Sequence, residues 1–192
     1  MRRLLPVVIL VAIMWALEIV DLVLPGDLDN YGIESRETDG LTGVVAAPFL
    51  HADFAHLMAN TVPFLVLGGL VAWRYYERFW AITAVIVVGS GLGVWLIGPG
   101  NALTIGASGA VFGYLTFLLT AGIRTRHWLD VLIGIGVLLV YGTILGGALP
   151  WGVAAGVSWQ AHLMGALAGI LAAFWFAKPR QPALPSVPVS QG

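Results

Sequence analysis

The chain has 192 residues, of which 59% are apolar and only 10% are charged, and its mean hydropathy is +0.91. Soluble domains carry about 25% charged residues, so this composition belongs to a protein whose solvent is largely lipid. A net charge of −1 offers nothing to a nucleic acid, and the lack of cysteine excludes disulfides, a thiolate nucleophile and cysteine-ligated metal.

A bilayer core takes about 20 apolar residues per helix. Six windows qualify, at residues 4–24, 54–73, 79–98, 107–123, 128–148 and 157–177, and they predict an all-α protein of six transmembrane helices. The first, within MRRLLPVVILVAIMWALEIV, has the basic start of a signal peptide. Its apolar part is long, it carries Glu18 and Asp21, and no small-x-small cleavage site follows, so it reads as a retained helix. The second opens with HADFAHLMAN, which places His51, Asp53, His56 and Asn60 at one membrane edge. His56 and Asn60 are four apart and share a helix face.

Gly89, Gly91 and Gly93 in the third window superficially match a dinucleotide motif. No strand precedes them and they lie inside a span, so they read as close helix packing. The segment IGPGNALTIGA leads into the fourth helix, which opens on Ser108 and carries Gly109 and Gly113 just after Gly106 and Ala107. The fifth is apolar and glycine-laden, and residues 146–157 after it are expected to form a mobile cap or gate. The sixth opens with SWQAHLMG, giving Ser158, Gln160 and His162, with Ala161, Gly165 and Gly169 in steps of four. Small residues four apart let membrane helices approach closely, so Gly109 and Gly113 are expected to pack on Gly165 and Gly169. The tail, residues 178–192, spaces Pro179, Pro182, Pro185 and Pro188 three apart, a polyproline II period, and reads as a disordered cytoplasmic tail outside the 1–177 domain.

Basic residues orient the bundle. Arg2, Arg3, Arg74, Arg78, Arg124, Arg126, Lys178 and Arg180 all fall on one face of a six-span protein. Arg36 alone falls on the other, where residues 25–50 carry Asp27, Asp29, Glu34, Glu37 and Asp39. Both termini are therefore expected in the cytoplasm. Trp73, Trp80, Trp128 and Trp175 mark the inner interface, and Trp95, Trp151 and Trp159 the outer one, while Trp15 fits neither.

Intramembrane polar residues are costly and are candidate sites by default. Helices 2, 4 and 6 all start at the outer face, so His56, Asn60, Ser108 and His162 converge there. Singly they have plainer readings: Ser108 as packing, Asn60 as an interhelical hydrogen bond, His162 as a satisfied structural histidine. A zinc site from His51, His56 and His162 lacks an acidic partner at ligand spacing, and no HExxH is present, so no metal or cofactor is expected. Together the residues fit a serine hydrolase without a triad acid. Ser108 needs a base within reach, and His162 is the well-placed one. Unpaired backbone N–H groups at the start of helix 4, with the His56 and Asn60 side chains, would supply oxyanion donors. Gly106 and Ala107 leave room for a substrate carbonyl.

GASGAVFG, HxxAN at His56–Asn60 and AHLMG, on helices 4, 2 and 6 in a six-helix chain, resemble the rhomboid family of intramembrane serine proteases, in its bacterial branch. The resemblance covers about residues 1–177. It implies Ser108 as nucleophile, His162 as general base, and His56, Asn60 and the Ser108 N–H on the oxyanion. Substrates would be transmembrane segments of other membrane proteins, cut near the outer leaflet of the cell membrane where the helix is locally unstable. Phe112 stands where many members carry a tyrosine beneath the histidine, and position 158 lacks the acid some members have. Two other readings are a catalytically inactive relative that binds membrane helices, and a small transporter. The transporter is disfavoured by a site at the outer leaflet and by the lack of internal repeats.

Overall fold

The computed structural model describes residues 2–23, 26–100, 102–154 and 156–179; the proline-spaced residues from 180 onward lie outside that set. Six long helices account for most of it: α1 (Arg2–Val23), α2 (Phe54–Arg74), α3 (Tyr76–Ile97), α4 (Ser108–Thr125), α5 (Trp128–Ala148) and α6 (Trp159–Phe176). Five of the six are long and apolar enough to cross a bilayer; α4 is the exception. Its 18 residues include glycine, serine and threonine, and Gly109 to Leu118 form an unbroken buried run. A helix wrapped by protein on every side has no lipid to satisfy, so its hydropathy falls below that of its neighbours. The chain is an all-α, multi-pass integral membrane protein.

Helix ends follow from local chemistry. The Asp53 carboxylate caps α2 by accepting from the His56 N–H at 2.7 Å. The Ser158 hydroxyl caps α6 by accepting from the Ala161 N–H at 3.2 Å. Pro63 lacks an N–H for the helical ladder, and α2 widens just after it into a π turn over Phe64–Gly68. No side chain caps α4.

α4 is the axis of the bundle. A methyl group placed on Gly165 would overlap the Gly109 carbonyl, and one on Gly169 would overlap the Gly113 carbonyl, so α4 and α6 meet backbone to backbone. Thr116 Oγ1 donates across this seam to the Ala166 carbonyl at 2.7 Å. Glycines of α3 are likewise contact points: Gly89 meets Ala168, Gly91 meets Val44 and Gly93 meets Met164. In α3, Ser90 Oγ donates to the Ala161 carbonyl at 3.1 Å, and Thr83 and Tyr114 hydroxyls pair at 2.8 Å. Such bonds hold helices together where the hydrophobic effect is weak. Against this core α5 is loosely attached, burying 11% of its apolar stretch against 28–44% in the other four spans. Trp15 of α1 packs toward α2, its Nε1–H donating to Thr61 Oγ1 at 3.1 Å.

The acidic loop after α1 is fastened over the α3–α4 connection. Ile33 and Thr104 exchange both backbone hydrogen bonds (2.9 and 3.0 Å), and the Gly106 N–H donates to the Ala47 carbonyl at 2.8 Å. Arg36, the lone basic residue of that loop, caps the end of α3 by donating to the Gly98 carbonyl at 2.8 Å. The Trp95 indole donates to the Glu37 carbonyl at 2.7 Å. These bonds fix the segment that delivers Ser108 to the start of α4.

Candidate active site

Ser108 is the first residue of α4 and is half-buried. The helical ladder begins with the Val111 N–H donating to the Ala107 carbonyl at 3.0 Å. The N–H groups of Ser108, Gly109 and Ala110 therefore precede it, at the positive end of the helix dipole. Gly106 sits just upstream at φ +107°, where a side chain is strained. A Cβ there would lie 2.7 Å from the His56 ring and 3.9 Å from Asn60 Nδ2. Ala107 is fully buried. The small residues before the serine are thus filled against by the protein's own groups: Gly106 lets α2's polar side chains close onto the α4 start.

Asn60 is 5% exposed and donates from Nδ2 to the His56 carbonyl one turn earlier at 3.0 Å. That bond fixes the amide and leaves its second N–H available. His56 is half-buried, and its ring meets the His51 ring edge-on at 5.0 Å.

His162 is 7% exposed, on the second turn of α6. Its ring lies parallel to Phe112, with centroids 4.2 Å apart and planes within 6°. Its Nδ1 is 2.9 Å from the Gly147 carbonyl. A carbonyl only accepts, so Nδ1 carries the proton and Nε2 of the neutral ring is left as a base. Nothing in the spacing of the sequence singles out Gly147, because it lies 15 residues away at the end of α5. Ser108 and His162 are carried by the two helices that touch at Gly109, Ala161 and Gly165. Their side chains are not hydrogen-bonded to each other, the His162 ring being bonded to Gly147 instead.

His51, outside the spans, is 2% exposed. Burial, reinforced by the neighbouring His56, lowers its pKa from 6.5 to about 4. The folded state keeps this ring neutral while the unfolded chain protonates it below 6.5. Stability is therefore complete above pH 6.5 and falls as the pH drops toward 4. The expected loss over that range is about 3 kcal/mol, from the shift at 1.36 kcal/mol per unit. Melting in detergent checks it: Tm should fall with acid in the wild type and fall less in His51→Leu.

Residues 38–179 match the Rhomboid domain family. An uncharacterized protein of Mycobacterium tuberculosis is 48% identical over 179 residues, covering 90% of this chain and 75% of that protein. One of Mycobacterium leprae is 43% identical over 176 residues, 88% of this chain and 70% of its own. Rhomboid-like protein 11, chloroplastic, of Arabidopsis thaliana is 33% identical over 151 residues, 70% of this chain and 52% of its own length. With the family's domain matched across most of the sequence and five long helices assembled around a glycine-bearing central one, this chain belongs to the rhomboid family.

Proposed function

We propose that the protein is an intramembrane serine endopeptidase, with Ser108 as nucleophile and His162 as general base. The observation that carries this reading is the imidazole of His162: it is stacked on Phe112, held by the Gly147 carbonyl, and carried by the helix in backbone contact with Ser108's own. A structural histidine needs hydrogen bonds. A general base needs one nitrogen held and the other open, which is what the Gly147 bond provides. In the proposed reaction Ser108 Oγ attacks a substrate carbonyl as Nε2 of His162 takes its proton. The Ser108 N–H, the second Asn60 N–H and the His56 ring receive the oxyanion, each donor contributing roughly 3 kcal/mol. His162 then protonates the leaving amine, and water releases the acyl group by the reverse proton route.

The Gly147 carbonyl takes the orienting role of a triad acid without placing a second charge in the membrane. Substrates would be transmembrane segments of other membrane proteins, because the site lies within a bundle embedded in lipid. A helical peptide bond is shielded, so the segment must unwind locally, which glycine or proline makes easier. The basic residues at the helix ends opposite Ser108 favour both termini in the cytoplasm and cleavage toward the outer leaflet. Labelling of Ser108 by a fluorophosphonate tests the assignment; a wild type that resists the probe while still binding helices would favour an inactive relative.

Phe112 offers a finer test. Phe112→Tyr keeps the ring under His162 and is expected to retain activity within about twofold, since the added hydroxyl changes only the ring edge. Phe112→Ala removes the face and should lower kcat by about 10-fold or more with little change in KM, on the scale of misoriented catalytic groups. Single-turnover cleavage in proteoliposomes separates the two parameters.

A further inference from the structure

At the end of the bundle opposite Ser108 a cavity of about 650 Å³ opens between the ends of α2, α4 and α6 and the starts of α1, α3 and α5. Its volume falls in the range of small-molecule sites. Arg3, Arg78 and Lys178 line it, with Tyr76, His127 and the Arg74–Asp130 pair. Asp130 is 2% exposed and accepts three hydrogen bonds: Arg74 donates to both its oxygens (2.6 and 2.9 Å), and Thr125 Oγ1 donates to one of them at 2.8 Å. Its charge is thereby cancelled by Arg74. Among the described residues that leaves Arg3, Arg78 and Lys178 facing Glu77, an excess of positive charge.

The two arginines are held in place yet keep donors in reserve. Arg3 donates from Nη1 to the Trp73 carbonyl at 3.1 Å, and Arg78 from Nη1 to the Phe176 carbonyl at 2.6 Å. A guanidinium has five N–H donors, so each keeps most of its fork. The His127 Nδ1 accepts from the Leu129 N–H at 3.3 Å, which leaves Nε2 as the donor of the neutral ring. The chemistry is that of an anion with several acceptor oxygens.

The surroundings select among anions. Trp73, Trp80, Trp128 and Trp175 are 43–70% exposed at this end, where indoles sit among lipid headgroups. Leu4 and Leu5, which follow Arg3 in α1, and Leu132, two residues after Asp130 in α5, are exposed, an apolar flank for acyl chains. We propose that this cavity binds the phosphate of an anionic phospholipid headgroup. The site is independent of the proteolytic reading and would hold for an inactive relative.

Native mass spectrometry of the full chain in detergent tests it, with dioleoylphosphatidylglycerol and dioleoylphosphatidylcholine as paired probes. The anionic lipid should be retained preferentially, and Arg78→Gln and Lys178→Gln should each reduce that preference about fivefold, the scale of one cation near an anionic headgroup. Arg2→Gln and Arg126→Gln remove the same charge from outside the cavity and should leave it intact. Lys178→Gln keeps the test informative if Arg78→Gln, which loses a bond to α6, unfolds. Equal retention of the two lipids, or equal loss in all four variants, would overturn the site. Displacement of the lipid by millimolar inorganic phosphate would overturn the headgroup in favour of a free phosphate.

Discussion

Ser108→Ala protein, folded and reconstituted, is expected to cleave a transmembrane substrate at no detectable rate. Removing either member of a serine–histidine unit costs on the order of 10⁴–10⁶ in kcat, because the nucleophile and its base act in one step. His162→Ala should therefore lose as much, and the double variant should be no worse than either. That non-additivity distinguishes a catalytic unit from two residues that merely support folding, whose losses in stability add when they are independent. Substrate binding should survive in both, since neither change adds bulk at the glycine contacts that join α4 to α6. Measuring cleavage and helix binding on the same preparations decides the matter. Residual cleavage by the Ser108→Ala protein above the uncatalysed rate would remove the proposed mechanism.

Gly165→Val is the second large effect, and it acts through the fold. The added carbons would occupy the space of the Gly109 carbonyl, so α4 and α6 must separate or shift along one another. Overpacking of a rigid contact costs about 1–3 kcal/mol and more where the obstacle is backbone. The same displacement would carry His162, three residues earlier, away from Ser108, one residue before Gly109. Both Tm and cleavage should fall, and fluorophosphonate labelling of Ser108 should fall with them. Gly136→Ala is the matched control. No atom lies within 4 Å of a Cβ there, so α5 should accept the methyl with unchanged activity and gain roughly 0.5–1 kcal/mol from helix propensity. Comparable losses in both variants would mean that the α4–α6 seam has no special role.

Much of the bundle was legible in the residues because a bilayer is a severe solvent. It demands long apolar windows, and the six windows lie within a few residues of the six helices. The same severity makes polar residues conspicuous, so Ser108, His162, His56 and Asn60 stood out with no other information. The lower hydropathy of α4 is present in its residues, but a window records composition and does not say that protein surrounds the helix. Residues 146–157 looked like a mobile cap on glycine content. In the structure Gly147, within that stretch, is bonded through its carbonyl to His162, a contact made by a backbone atom that every residue possesses.

Capping, spacing and charge are local, and so the chain alone determined the number and order of the long helices, the membrane setting and the residues worth testing. Contacts between backbone groups far apart in sequence are not encoded in side-chain identity. Only the tertiary structure decided that the Ile33–Thr104 pairing and the Gly106–Ala47 bond hold the approach to Ser108. It likewise decided that Gly147 orients the imidazole, and that Asp130, an unremarked residue of the α5 start, neutralises Arg74 beside a basic cavity. The physical reason is the same in each case. A carbonyl or a buried carboxylate acquires its role from the partner that folding brings to it.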